Sequence, residues 1–221
     1  MIDVRRRMLA AMIDHSVLSP ETTVRTATRA VYDGHALGVA SVCLPSWLVG
    51  TVPHLVPICS VVGFPSGAVD VSVKRYEAER AIADGASEID MVINLGAAHD
   101  GRFRLIDHEI RQVRSVCMGK VLKVVLESAT FDPSELKRVA IIARDAGADY
   151  LKTSTGYHPA GGATVAAVKV LDSVAADCNH PVGVKASGGI RTYEDAAAMI
   201  YAGATRIGTS YTMAILDGVT A

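Results

Sequence analysis

Three lysines stand inside apolar runs of this 221-residue chain: Lys123 in Val-Leu-Lys-Val-Val-Leu, Lys152 in Tyr-Leu-Lys-Thr-Ser-Thr and Lys185 in Val-Gly-Val-Lys-Ala-Ser. Lysine is rarely buried without a partner or a task. One such residue is explained well enough by a hidden carboxylate, for example Lys123 paired with Glu127. Three on successive runs call for more. Ammonium groups packed together disfavour one another's charge, and desolvation adds to the effect. An amine so freed near neutral pH attacks carbonyls and forms an imine.

An acid lies nearby in the chain. Asp90 sits in Glu88-Ile89-Asp90-Met91-Val92-Ile93-Asn94, where a carboxylate can relay protons or serve as a buried ion-pair partner. Asp14, in Asp14-His15-Ser16, is a second candidate, and His15 suits packing as well as catalysis. Two glycine-rich stretches, Lys185-Ala186-Ser187-Gly188-Gly189-Ile190-Arg191 and Gly208-Thr209-Ser210, let backbone N–H groups approach an anion. A short helix N-terminus after the second would add its positive dipole. Ordinary tight turns are the plainer reading of each stretch, but two in succession favour a phosphate site.

These residues need elements to hold them. Short β-branched runs alternate with helical segments: Met12–His15, Val39–Cys43, Ile58–Gly63, Glu88–Asn94, Val121–Glu127, Asp149–Lys152, Val182–Ala186 and Thr205–Thr209. Near-continuous apolar strands of this kind are covered on both faces. Helix starts are signalled by Ser19-Pro20, by a capping box at Asp132-Pro133-Ser134-Glu135, and by Thr192 with Asp195. Helix stops recur at Gly38, Gly85, Gly147 and Gly203, each just before an even-numbered strand, where glycine supplies a left-handed cap. The expected fold is a single (β/α)₈ barrel over residues 1–221. In such a barrel, strands five to seven adjoin, and catalytic groups gather at the strands' carboxyl ends. An open doubly wound sheet is the alternative, but no G-x-G-x-x-G follows strand one.

Bulk properties exclude other classes. The formal net charge is −1, without the basic excess that nucleic acid or a membrane surface requires. No run approaches the roughly 20 apolar residues of a membrane span, and no signal peptide is legible at the start. The four cysteines (Cys43, Cys59, Cys117, Cys178) are scattered without CxxC spacing, so free thiols in the cytoplasm are expected rather than disulfides or zinc. His108-Glu109 lacks the second histidine of a zinc-protease helix, since Gln112 stands there.

With these residues assembled, Leu151-Lys152-Thr153-Ser154-Thr155-Gly156, Val184-Lys185-Ala186-Ser187-Gly188-Gly189-Ile190-Arg191-Thr192, Glu88 to Asn94 and Arg206-Ile207-Gly208-Thr209-Ser210 resemble the deoxyribose-phosphate aldolase family. Asp14-His15 and Ser41-Val42-Cys43 also match in order and spacing. The resemblance covers essentially the whole chain. It implies a class I aldolase that reversibly cleaves 2-deoxy-D-ribose 5-phosphate to glyceraldehyde 3-phosphate and acetaldehyde. Lys152 would form the Schiff base, Lys185 would perturb its pKa, and Asp90 would donate and accept protons. Thr155, Gly188, Gly189, Gly208 and Ser210 would hold the substrate and its phosphate, with Asp14 and Lys123 in supporting polar roles. No metal and no cofactor is expected, because the protonated imine is itself the electron sink. A homo-oligomer, a dimer, is the expected assembly.

The chain departs from the family pattern at Tyr157, where some members have lysine, and at Tyr211, where some have a second serine. The sequence given ends in Asp217-Gly218-Val219-Thr220-Ala221 rather than in the tyrosine-ended tail of some relatives, a difference expected to bear on how the site closes. The competing readings are another lysine-imine aldolase with a different donor, and a silent barrel that only binds a phosphorylated metabolite.

Overall fold

A computed structural model describes residues 2–177 and 182–219. Eight strands, all parallel, close in sequence order into a barrel: β1 (Ile13–Ser16), β2 (Ser41–Leu44), β3 (Ile58–Val62), β4 (Glu88–Val92), β5 (Val121–Val125), β6 (Tyr150–Lys152), β7 (Gly183–Ser187) and β8 (Arg206–Thr209). Every expected strand forms, but several end earlier than the apolar runs do. Gly63 (φ 63°) and Glu127 (φ 54°) turn the chain left-handed after β3 and β5. Asn94 leaves β4 to cap the next helix through its side chain.

The surrounding helices are α1 (Ile2–Ala10), α2 (Val24–Leu37), α3 (Val71–Ala83), α4 (Leu95–His99), α5 (Phe103–Val116), α6 (Pro133–Asp145), α7 (Val165–Ala176), α8 (Tyr193–Tyr201) and α9 (Thr212–Asp217). Helix α1 precedes the first strand, so the unit count is not strict. The β2–β3 crossover carries only a 3₁₀ turn at Ser46–Thr51. Pro45, Pro53 and Pro57 interrupt this segment, and proline, lacking an N–H, does not continue an α-helix. The capping boxes at Asp132 and Thr192 both form. Ser19-Pro20, in contrast, does not start a helix. Ser19 turns the chain onto itself, accepting from Thr22 N at 2.9 Å through its carbonyl, and α2 begins at Val24 under a Thr23 cap. Gly38, Gly85, Gly147 and Gly203 all adopt positive φ, between 73° and 116°.

Alternation along the strands divides two interiors. Ile89 and Met91 of β4, Leu122 and Val124 of β5, Leu151 of β6 and Val184 and Ala186 of β7 face outward into the main hydrophobic core beneath the helices. Their neighbours Asp90, Lys123, Lys152 and Lys185 therefore face inward. Barrel interiors are usually filled by branched aliphatics. Here Cys43, Cys59 and Val61 form a small apolar cluster, and ions fill much of the rest. Among the described residues, no helix is long and apolar enough to cross a membrane. Cys43, Cys59 and Cys117 are free and buried, while Cys178 lies outside the described residues.

Candidate active site

Parallel register brings the inward side chains together in layers. Asp90 pairs with Lys123 across β4–β5, and Lys152 with Lys185 across β6–β7. Asp90 is fully buried at the centre. Its Oδ1 accepts from Lys123 Nζ at 2.8 Å, and its Oδ2 accepts from Lys152 Nζ and Lys185 Nζ, both at 2.7 Å. Asp14 Oδ2 accepts from Lys185 Nζ at 2.5 Å, and its Oδ1 from Arg206 at 2.7 Å. Glu88 lies 2.5 Å from Lys123 Nζ and 3.5 Å from Arg206. Four cations thus interleave with three carboxylates, leaving one positive charge in excess.

Burial and neighbouring carboxylates act in opposite directions on Lys123 and Lys185. Burial works against the charge of Lys185, but Asp14 and Asp90 outweigh it and hold the ammonium well above the ordinary lysine range. Lys123 is likewise raised, burial being overcome by Asp90 and other neighbouring anionic groups. Burial pushes the Asp90 carboxyl up, and the three lysines overcome it and hold the group well below the usual carboxylate range. The reason is geometric: strands one and four, remote in sequence from the lysines, place their carboxylates between the cations. Glu127 is not the partner of Lys123; it turns out of the barrel and accepts from Thr155.

Above this cluster opens a cavity of about 990 Å³ at the carboxyl ends of the strands. Lys152 reaches it, whereas Asp90 and Lys185 lie sealed underneath. Thr155, Gly188, Gly189, Gly208 and Ser210 all line it, as do Tyr157 and Tyr211. Asp14 and Lys123 do not. They are fully buried below the floor, so their contacts are with Lys185, Arg206, Glu88 and Asp90 rather than with a ligand. Among the described residues, the amides of Gly156, Gly189 and Ser210 make no hydrogen bond, which leaves donors free at the cavity wall. Helix α9 follows two residues after Ser210. Gly208 has a second reason to be glycine: a Cβ there would stand 2.9 Å from Lys185 Cε.

Two aromatic residues shape the wall. Tyr157 meets Phe64 edge to face at 5.2 Å, and Arg191 lies over the Tyr211 ring at 5.4 Å. His15 borders the cavity, bonded to Thr212 at 2.8 Å and kept below the ordinary histidine range by burial. Glu88 and Arg206 stand in the quoted motifs without an assigned role, and Cys59 is not singled out. Period-two alternation carries the signal for the first, since Glu88 and Asp90 share a face. Nothing local marks Cys59, whose Sγ bonds Asp90 at 3.1 Å.

A closed parallel barrel with a lysine amine at the floor of a cavity, backed by a buried carboxylate, defines a barrel enzyme equipped for carbonyl chemistry. The model of the DeoC/LacD family aldolase matches residues 2–218, and the chain belongs to that family; it is an aldolase, a carbon–carbon lyase. It is 48% identical over 214 residues to the deoxyribose-phosphate aldolase of Corynebacterium diphtheriae, covering 96% of this chain and 97% of that protein. It is 46% identical over 218 residues to the enzyme of the same name from Kocuria rhizophila, covering 98% and 99%. Among solved structures, a putative deoxyribose-phosphate aldolase from Coccidioides immitis superposes with a TM-score of 0.91 at 34% identity, covering 96% of this chain and 85% of the other. The tetrameric deoxyribose phosphate aldolase of Aeropyrum pernix gives 0.86 at 34%, covering 96% and 91%.

Proposed function

We propose that this aldolase reversibly cleaves 2-deoxy-D-ribose 5-phosphate to D-glyceraldehyde 3-phosphate and acetaldehyde, with Lys152 as the Schiff-base nucleophile. The observation that carries the assignment to Lys152 is its position: of the three inward lysines, it alone reaches the cavity, and it contacts a single carboxylate. Attack on a carbonyl needs the free amine, and of the three lysines only the Lys152 amine has access to a ligand. That amine adds to the substrate aldehyde and, with loss of water, gives a protonated imine. The imine accepts the electron pair as the bond between C2 and C3 breaks, and the C3 hydroxyl gives up its proton to leave as glyceraldehyde 3-phosphate. The remaining enamine takes a proton at carbon, and water then releases acetaldehyde.

Asp90 spans Lys152 and Lys185 through one oxygen and is suited to move protons through that pair. Lys185 keeps a second charge beside the amine. The free amides of Gly156, Gly189 and Ser210 suit the phosphate, with Thr155, Gly188 and Gly208 shaping the same wall. The 221 residues act as one barrel domain, in the cytoplasm, as a homodimer. The readings as a different aldolase or as a silent binding barrel have no observation in their favour.

Borohydride reduction in the presence of acetaldehyde, followed by peptide mass spectrometry, tests the central assignment. An ethyl adduct is expected on Lys152, and Lys152→Ala is expected to abolish both adduct and turnover while far-ultraviolet circular dichroism stays unchanged. An adduct on another lysine, or none on folded protein, refutes it.

A further inference from the structure

Glu127 is the one described non-glycine residue with positive φ, at 54°. Only 1% of it is exposed, and no cation lies within ion-pair distance among the described residues. A buried carboxylate without a cation, on a backbone conformation that L residues disfavour, has to be held by something specific. Thr130 holds the backbone, donating to the Glu127 carbonyl from its N–H at 3.0 Å and its hydroxyl at 2.9 Å, and Thr155 holds the side chain. Glu127 Oε2 accepts from the Thr155 hydroxyl at 2.6 Å and from Thr155 N at 3.2 Å, and Oε1 lies 3.3 Å from the same amide. The left-handed turn at the end of β5 is what aims the side chain away from the barrel axis and across to the loop after β6.

From Thr155 the connection runs on. Its hydroxyl oxygen accepts from Tyr157 N at 3.1 Å, and Gly156 between them carries one of the free amides of the cavity wall. A Cβ on Gly156 would stand 3.4 Å from the Cα of Gly188. The loop is then pinned to β7, with Ala163 N donating to Gly188 O at 3.0 Å. The β5 loop therefore holds the β6 loop through Thr155, whose hydroxyl proton is committed to Glu127 rather than to a ligand, and the β6 loop in turn meets the β7 turn at Gly188.

We infer that Glu127 is a positioning residue for phosphate recognition: it fixes Thr155 and so sets the Gly156 amide, and the glycine turn of β7 against it, at the spacing an anion requires. The inference rests on the phosphorylated substrate proposed above and adds a residue that does not itself touch that substrate. It predicts a split between the two ends of the reaction, because Lys152 is carried by the strand and the phosphate cradle by the loop.

Glu127→Gly keeps a backbone that tolerates positive φ and deletes the carboxylate. It is expected to raise KM for 2-deoxy-D-ribose 5-phosphate by about tenfold with kcat changed less than about threefold, and to leave kcat/KM for unphosphorylated 2-deoxy-D-ribose within about threefold. Glu127→Gln retains length and one acceptor oxygen, and is expected to recover most of the lost affinity. Unchanged KM in Glu127→Gly, or equal losses on the two sugars, overturns the inference. Binding of inorganic phosphate by calorimetry separates this from the substrate assignment. If the wild type binds phosphate but does not cleave the sugar phosphate, the substrate assignment fails. The Kd for phosphate then decides on Glu127 alone: about tenfold weaker binding in Glu127→Gly upholds its role, and an unchanged Kd removes it.

Discussion

Lys185 illustrates how much a single charge does in this barrel. It is fully buried, bonded to Asp14 and Asp90, and fixed as a cation by them. Through Asp90 it stands one carboxylate away from Lys152. Lys185→Leu removes that positive charge, and with it one of the three lysines that hold the Asp90 carboxyl down. The acid limb of the kcat/KM profile is expected to move up by about one pH unit or more, with a loss of rate of at least about tenfold at neutral pH. A profile with unmoved limbs contradicts this account of Lys185, whatever the rate. The sequence placed all three lysines at inward positions and picked out Asp90 and Asp14, but not the ion pairs they form. The carboxylates that pair with the lysines come from strands distant in sequence.

At the scale of elements, local signals and tertiary demands separate cleanly. Asp132 caps α6 on its own evidence: it accepts from Ser134 N at 2.7 Å and Glu135 N at 2.9 Å, and Glu135 returns a bond to Asp132 N. Asp132→Ala is expected to cost about 1 kcal/mol and to lower Tm by about 2–4 °C, with kcat and KM unchanged, because Asp132 is exposed and does not line the cavity. A drop in activity without a drop in Tm contradicts that separation. Ser19-Pro20 carries an equally good local signal and caps nothing, because the β1–α2 loop must first cross the cavity rim, where Ser16 to Ser19 line the wall. Another buried feature, invisible to motif reading, is the ion pair of Lys74 in α3 with Glu109 in α5 at 2.6 Å. Glu109 also accepts from Asn94 N at 2.8 Å and so ties α4 to both helices. The His108-Glu109 pair that fails as a zinc motif supplies this structural carboxylate instead.

For the whole molecule, the ion cluster makes stability depend on acid. Asp14 and Asp90 are held below the usual carboxylate range when folded, burial being outweighed by Lys185, Lys123 and Arg206 for the first and by the three lysines for the second. Groups with depressed folded values contribute stability that is complete above the unfolded value and is lost as pH falls towards the folded one. With about 3.9 for an unfolded aspartate, Tm is expected to be flat between about pH 7 and 5 and to fall steeply below about pH 4. Asp14→Asn leaves Lys185 and Arg206 short of a partner. It is expected to lower neutral stability by about 3–5 kcal/mol and to flatten the acid limb, both readable from urea unfolding as a function of pH. An acid limb as steep as the wild type's places the dependence elsewhere.

The sequence by itself determined the order and number of strands, the covered character of the sheet, two of the helix caps, and which lysines and aspartates face inward. These follow from period-two alternation, from capping chemistry and from glycine's tolerance of positive φ, all of which act over a few residues. Only the closed barrel decided which charges meet. Closure sets β1 beside β8 and seats Asp14 against Lys185 and Arg206. It lays Asp90 across three lysines, seals Asp14 and Lys123 beneath the floor, and leaves Lys152 alone in reach of the cavity. Contacts between residues 60 to almost 200 positions apart depend on register around the whole ring, and no local pattern carries that information.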